Sequence, residues 1–231
     1  MASRSPWDPA NTGRRVLFWR HGRTEWNRAG RFQGQLDIPL DAVGRAQAEA
    51  AARRLRLLRP AVIISSDLAR ARDTAAALGS AAGLDVDLDD RLRETMAGRW
   101  QGMSFADITA DDGEALARWS AGASNARAGG GETRAEVGRR VADAVGEALQ
   151  RVPAEGLLVV ASHGGAIRAG ICAMLELPED SWAVIGGVSN AHWSLLDERD
   201  PAGGGPRWQL AHHNFGPEDL PVQAPAAPQE T

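Results

Sequence analysis

The stretch Val16-Leu17-Phe18-Trp19-Arg20-His21-Gly22-Arg23-Thr24-Glu25-Trp26-Asn27 decides the fold. Successive strand residues point to opposite faces, so four consecutive apolar residues suit a strand packed on both sides. The polar run that follows, with Gly22 at the turn, ends that strand and leaves Arg20 and His21 at its carboxyl end. Two further segments repeat the pattern. Val62-Ile63-Ile64 runs into Ser65-Ser66-Asp67-Leu68-Ala69-Arg70-Ala71-Arg72, and Leu157-Leu158-Val159-Val160 runs into Ser162-His163-Gly164-Gly165.

Helical patterns separate these strands. Asp41 is a candidate N-cap for a helix through Leu58, stopped by Pro60, and a second helix is predicted from Leu68 to Leu78, ahead of Gly79 and Gly83. Val137, Val141, Val145 and Leu149 recur every four residues, a stripe that packs one side of a third helix against a sheet. Segments Ala191 to Leu196 and Arg207 to Ala211 read as later strands joined by the Gly203-Gly204-Gly205-Pro206 turn, and 104–130 as helices and loop inserted over one end. This order predicts an α/β three-layer sandwich, a mainly parallel central sheet with helices on both faces. One domain, 14–215, is expected between a mobile segment 1–13 and a disordered tail 216–231 that carries Pro217, Pro221, Pro225 and Pro228. The Ala121 to Gly131 stretch, small and glycine-rich, reads as a mobile cover. Ligands bind such sheets beyond the carboxyl ends of the strands, so the three strand-end features face one crevice.

Composition narrows the class. The 231 residues are 43% hydrophobic and 24% charged with a net charge of -4, and all 26 basic residues are arginine. That balance argues against general nucleic-acid or anionic-membrane binding. Cys172 is the single cysteine, which excludes an intrachain disulfide and a cysteine-rich metal site. No apolar run approaches the roughly 20 residues that span a bilayer, and 1–13 lacks a signal-peptide core, so a cytoplasmic protein is expected. A symmetric homodimer is the default assembly for such a chain.

Two histidines and two arginines in one crevice suit a phosphoryl group. Neutral imidazole is a nucleophile near neutral pH, and guanidinium forks match phosphate oxygens in a bidentate way. Neutralising those oxygens lowers the barrier to attack on phosphorus. Gly164 and Gly165 let the backbone approach an anion closely, and a helix starting there aims N–H groups at it. Arg70 and Arg72 compete for the second arginine role. No metal or cofactor is expected: His212 and His213 are adjacent in a strand, point to opposite faces and cannot share an ion. The tryptophans at 26, 100, 119, 182, 193 and 208 are expected in the core or on pocket walls.

These motifs resemble the histidine phosphatase superfamily, which includes the phosphoglycerate mutases. The likeness runs from Arg20-His21-Gly22-x-Thr24-x-x-Asn27 and Arg31-x-Gln33-Gly34, through Ser65-Ser66-Asp67-Leu68-x-Arg70-Ala71 and Leu92-Arg93-Glu94 with Trp100-x-Gly102, to Ser162-His163-Gly164-Gly165. The resemblance implies that His21 becomes phosphohistidine, that Arg20, Arg70 and His163 hold the phosphoryl oxygens with support from Asn27, and that Glu94 protonates the leaving alkoxide and then activates water. It selects Arg70, which directly precedes an alanine, over Arg72. Burial of Glu94 is expected to raise its pKa. Mutases of the family resemble Glu-Arg-His-Tyr-Gly where this chain has Glu94-Thr95-Met96-Ala97-Gly98, and tend to place Gly-Trp where it has Gln33-Gly34-Gln35, which favours hydrolysis. Mutase activity, a broad-specificity acid phosphatase and an idle binding protein of this fold stay as alternatives.

A narrower resemblance, to the actinobacterial glucosyl-3-phosphoglycerate phosphatases, rests on Arg91-Leu92-Arg93-Glu94-Thr95, Gly130-Gly131-Glu132-Thr133-Arg134, Leu177-Pro178, Gly186-Gly187, Asn190-Ala191-x-Trp193 and Arg207-Trp208-x-Leu210. Thr133 and His192 stand where that group has serine, which would change the polarity of a pocket they lined. Arg23, Arg31, Gln33 and Arg134 are the candidate donors to a substrate carboxylate. Gln33, Gly164, Arg23, Asn27 and Leu210 are the expected substrate contacts.

Overall fold

The computed structural model describes residues 13–123, 125–199 and 206–219. Its centre is a six-stranded sheet in the order β3-β2-β4-β1-β5-β6. These strands are β1 (Arg15–Arg20), β2 (Val62–Ser65), β3 (Val86–Leu88), β4 (Leu157–Ser162), β5 (Trp193–Glu198) and β6 (Trp208–Phe215). The first four run parallel, while β5 pairs antiparallel with β1 and β6 antiparallel with β5.

The continuous apolar strands divide between two cores, as period-two geometry requires. Val16, Phe18, Leu158 and Val160 face one side with Val137, Val141 and Val145 of α5 (Arg134–Ala148) and Ile167 and Ile171 of α6 (Gly164–Met174). Leu17, Trp19, Leu157 and Val159 face the other, with Ala51, Ala52 and Leu55 of α2 (Ala42–Leu55) and Ala75 and Leu78 of α3 (Ala69–Ala82). The three-layer expectation is thus met. A third cluster, Phe32, Ala97, Trp100, Ile108 and Ala128, lies beneath α4 (Phe105–Ser120) in the inserted segment. The short helix α1 (Glu25–Arg28) follows β1.

Several boundaries differ from the sequence reading, each for a local reason. Asp41 does cap α2, accepting from Gly44 N–H at 2.7 Å, but the last turn to Leu58 is 3-10 rather than α. Helix α3 passes through Gly79 and stops only at Gly83, where φ is +70°. Strand β5 begins at Trp193, because Ala191 has φ of +60° and still belongs to the turn. Strand β6 extends to Phe215 rather than Ala211. The Gly203-Gly204-Gly205 turn lies outside the described residues, as do 1–12 and 220–231 of the expected mobile ends. Gly13 packs on Glu198, and Gly216 N–H donates to Asp219 at 2.6 Å.

Candidate active site

The register aligns Arg20 with Ser162 and Ser65 with Ala161, so His21, Ser66 and His163 emerge side by side from three neighbouring parallel strands. His21 is buried, and its Nδ1–H donates to the Gly22 carbonyl at 2.7 Å. That bond fixes the tautomer and leaves the Nε2 lone pair free. Burial, then the charges of Arg70 and Arg20, hold its pKa well below 6.5, so the ring is neutral. Thr24 caps α1 in a capping box with Asn27. The Asn27 Oδ1 accepts from Thr24 N–H at 3.0 Å and Asn190 Nδ2 at 3.2 Å, which leaves its own amide N–H groups as donors. The Gln33 Oε1 lies 3.0 Å from the Thr24 hydroxyl, leaving Gln33 in the same orientation.

Arg70 is fully buried and is aimed by carbonyls: its Nη1 donates to Leu36 O and its Nη2 to Gly34 O, both at 2.7 Å. Desolvation lowers its pKa to about 10, still a charged group at neutral pH. Its Nε donates to His163 Nδ1 at 3.1 Å, so neutral His163 must carry its proton on Nε2, which meets Ser66 Oγ at 2.9 Å. The His163 ring lies 5.2 Å from that of His21. It is held well below the usual histidine range by burial, Arg70 and His21. His163 thus lies beside the nucleophile with both nitrogens engaged. Arg20 Nη1 donates to Val188 O at 2.6 Å, while its Nε is buried without a partner. Arg72 is exposed and pairs with Asp73, which leaves Arg70 in the site.

Glu94 approaches from a loop pinned in three ways. Ser162 Oγ–H donates to Leu92 O at 2.7 Å, Arg93 Nε donates to Asp67 at 2.7 Å, and Arg140 of α5 donates to the carbonyls of Arg91, Arg93 and Glu94 at 2.7, 2.6 and 3.0 Å. The carboxylate of Glu94 accepts from the backbone N–H groups of Thr95 at 2.8 Å and of Gly165 and Ala166 at 3.0 Å. The sequence reading expects burial of this group beside others; the structure leaves it half-buried at the N-terminus of α6. A Cβ on Gly165 would stand 2.5 Å from Glu94 Oε1, so the close approach requires glycine.

These groups line a cleft of about 290 Å³. Of the sequence candidates, Arg20, His21, Asn27, Arg31, Gln33, Arg70, Glu94 and Gly164 border it. Arg23 does not, because its Nε is paired with Asp41 at 2.8 Å, and Leu210 does not, because it packs on the core beneath β6. Arg134 lies over the Trp119 ring at 4.4 Å rather than in the cleft. Thr133 caps α5, a task serine performs equally, and His192 contacts Asn190 O, so neither departure from the narrower pattern reaches the cleft. Trp119 is on the wall, as expected of the tryptophans, while the sequence reading misses Phe32, Phe105, Arg168 and Val188 there. Only Arg168 left a signal, four residues after Gly164 and hence on the same helical face.

The expected mobile cover is corrected at its end, 128–131. Ala128 and Gly129 are buried, and Cβ atoms on Gly129 or Gly131 would stand 2.3 and 1.9 Å from the carbonyl oxygens of Ala97 and Met96. These glycines permit a tight backbone stack beneath Trp100; Ser124 lies outside the described residues.

Known proteins share this arrangement. The family model of the histidine phosphatase superfamily (branch 1) matches residues 16–213. Glucosyl-3-phosphoglycerate phosphatase of Mycolicibacterium vanbaalenii is 43% identical over 209 residues, 85% of this chain and 92% of its own. A structure of mycobacterial glucosyl-3-phosphoglycerate phosphatase with VO3 has a TM-score of 0.81 at 42% identity, covering 87% of this chain and 99% of that one. A probable phosphoglycerate mutase of Yersinia enterocolitica is 37% identical over 163 residues, 71% of this chain and 75% of its own.

Proposed function

We propose that this chain, which belongs to the histidine phosphatase superfamily, is a phosphomonoesterase that works through a phosphohistidine on His21 and acts on glucosyl-3-phosphoglycerate. One observation carries the chemistry: a neutral imidazole with a free Nε2 stands beside two guanidinium groups whose Nη bonds go to carbonyls and none of whose bonds goes to a carboxylate. The charges of Arg20 and Arg70 stay available to a phosphoryl dianion, and burial first, then these charges, keeps His21 deprotonated for attack.

In the reaction the Nε2 lone pair attacks phosphorus as the bond to the ester oxygen breaks. Glu94 acts as general acid and hands its proton to that oxygen. Water then attacks the phosphohistidine, Glu94 takes the water proton, and phosphate leaves with His21 regenerated. Asn27 and Gln33 present N–H donors to the phosphoryl oxygens, and His163 acts by fixing Arg70.

The substrate assignment draws on the relatives, on Thr133 and His192 lying away from the cleft, and on an aromatic wall. Phe32 packs edge to face on Trp119 at 5.6 Å and tilted against Phe105 at 5.7 Å, an apolar surface suited to the C–H face of a sugar. The mutase alternative rests on a weaker and shorter likeness. Cytoplasmic location and a homodimer belong to the same proposal, the dimer to be read by light scattering.

The test is trapping of labelled phosphate. The chain becomes acid-labile labelled at His21 and hydrolyses glucosyl-3-phosphoglycerate, and His21→Ala does neither. Retained turnover in that variant would refute the nucleophile assignment, and mutase transfer without hydrolysis would refute the reaction type.

A further inference from the structure

Charge is not balanced around the cleft. Four arginines, at 20, 31, 70 and 168, border it against one carboxylate, Glu94. A phosphomonoester dianion answers two of these charges and leaves at least one, and two when Glu94 carries the proton it donates.

Arg168 is the group left over. It projects from α6 one turn beyond Gly164, roughly 6 Å along the helix axis. A Cβ on Gly164 would contact the Arg20 guanidinium at 3.4 Å, so this helical face runs from the phosphate end of the cleft towards Arg168. Arg168 makes a bond from Nη2 to Trp182 O at 3.2 Å, and its Nε is buried with no partner. No carboxylate pairs with it among the described residues. Its charged neighbour is instead Arg134, whose pKa falls to about 10 through burial and then the charge of Arg168. A half-buried cation beside a second cation is unfavourable unless an anion joins it. Arg31 is the weaker candidate, because it is exposed and its Nη1 already donates to Gly102 O at 2.7 Å.

We infer that Arg168 is the specificity-determining residue of the cleft and receives a carboxylate of the substrate, so that the preferred class is a phosphorylated hydroxy acid with phosphate and carboxylate joined through a two-carbon link. Such a link spans about one helical turn, the spacing between Gly164 and Arg168. The guanidinium fork suits this task, since it binds both carboxylate oxygens at once.

The inference rests on the phosphatase reading, and its test separates the two. Values of kcat/KM are measured for 3-phosphoglycerate and for glycerol 3-phosphate, which lacks the carboxylate, and binding of both is followed by calorimetry. In Arg168→Met the ratio of the two kcat/KM values falls roughly 10- to 100-fold, the scale of a lost hydrogen bond to a charged group, with most of the change in KM. Arg168→Lys keeps the charge without the fork and falls between. An unchanged ratio in both kinetics and binding, in variants with the parent's thermal midpoint, overturns the assignment. A parent chain that hydrolyses neither of these esters nor glucosyl-3-phosphoglycerate overturns the phosphatase reading, while the binding ratio still judges Arg168.

Discussion

Arg140 offers a sharp test of how the site is held. All five guanidinium N–H donors are used: Nε and Nη2 reach the two oxygens of Glu132 at 2.9 Å, and the rest meet the carbonyls of Arg91, Arg93 and Glu94. Arg140→Met keeps much of the aliphatic stem but strands Glu132 and three carbonyls. Removing one partner of a buried pair costs roughly 3–5 kcal/mol. The side chains of Arg140 and Glu132 are 18% and 23% exposed, which screens the loss. An expected destabilisation of about 3 kcal/mol lowers the thermal midpoint of a domain this size by roughly 6–12 °C. The catalytic effect has its own signature. Arg140 touches no reacting atom and positions Glu94, so its loss should matter most where the leaving oxygen needs a proton. General acids are worth about 10²–10⁴-fold, and displacing one rather than deleting it should lower kcat on an alkyl phosphate roughly 10- to 100-fold. With 4-nitrophenyl phosphate, whose leaving group departs without a proton, the fall should be several times smaller. Equal losses on both esters, measured well below the variant's midpoint, would refute the positioning role; an unchanged midpoint would refute the estimate of the network's strength.

Two more outcomes follow from the same geometry. His21 and His163 are both held well below 6.5, so kcat/KM should show no loss at the ordinary histidine midpoint as pH falls, only at lower pH. The unfolded chain does take up those protons below about 6.5, so stability should fall with pH there by up to about 1.4 kcal/mol per unit for each histidine, read as a urea midpoint that rises in His163→Asn below pH 6 relative to the parent. Gly165→Ala forces a Cβ to 2.5 Å from Glu94 Oε1 and should cut turnover of alkyl esters about tenfold, whereas helix propensity limits any loss of stability; a variant with parental turnover would show that Glu94 moves freely.

Much of this was legible because burial writes directly into sequence. Strands β1 and β4 are packed on both faces, so they read as unbroken apolar runs, and the polar residues after them could only lie at strand ends. Strand β3 carries no such mark: three residues long, at the sheet edge, with Asp87 and Leu88 exposed. The antiparallel direction of β5 and β6 was equally hidden, since pairing direction is set between strands rather than within one. In the site, residues within a few positions of a strand end, such as His21, Asn27, Arg70 and His163, were found, and residues further along a helix were not. Arg140 and Arg168 lie on helices among other arginines, and nothing local separates a guanidinium turned inward from one left in water. The glycines at 129–131 were misread because composition alone does not tell mobility from a close backbone contact.

What does separate the arginines is the partner each finds. Arg28, Arg127 and Arg151 pair at the surface with Glu25, Glu136 and Asp87, bonds that contribute little and cancel the charge. Arg140 is turned inward but meets Glu132, so it too is neutralised and serves as a brace. Arg20, Arg70 and Arg168 are placed by the carbonyls of Val188, Leu36, Gly34 and Trp182. A carbonyl fixes the direction of a guanidinium without removing its charge, whereas a carboxylate does both. Lysine could not take these places, because one ammonium cannot hold a fixed orientation against backbone oxygens while keeping a planar edge for an anion. The choice of neutral acceptors is what lets a protein of net charge -4 keep a cationic cleft, and it places the demand for negative charge on the substrate.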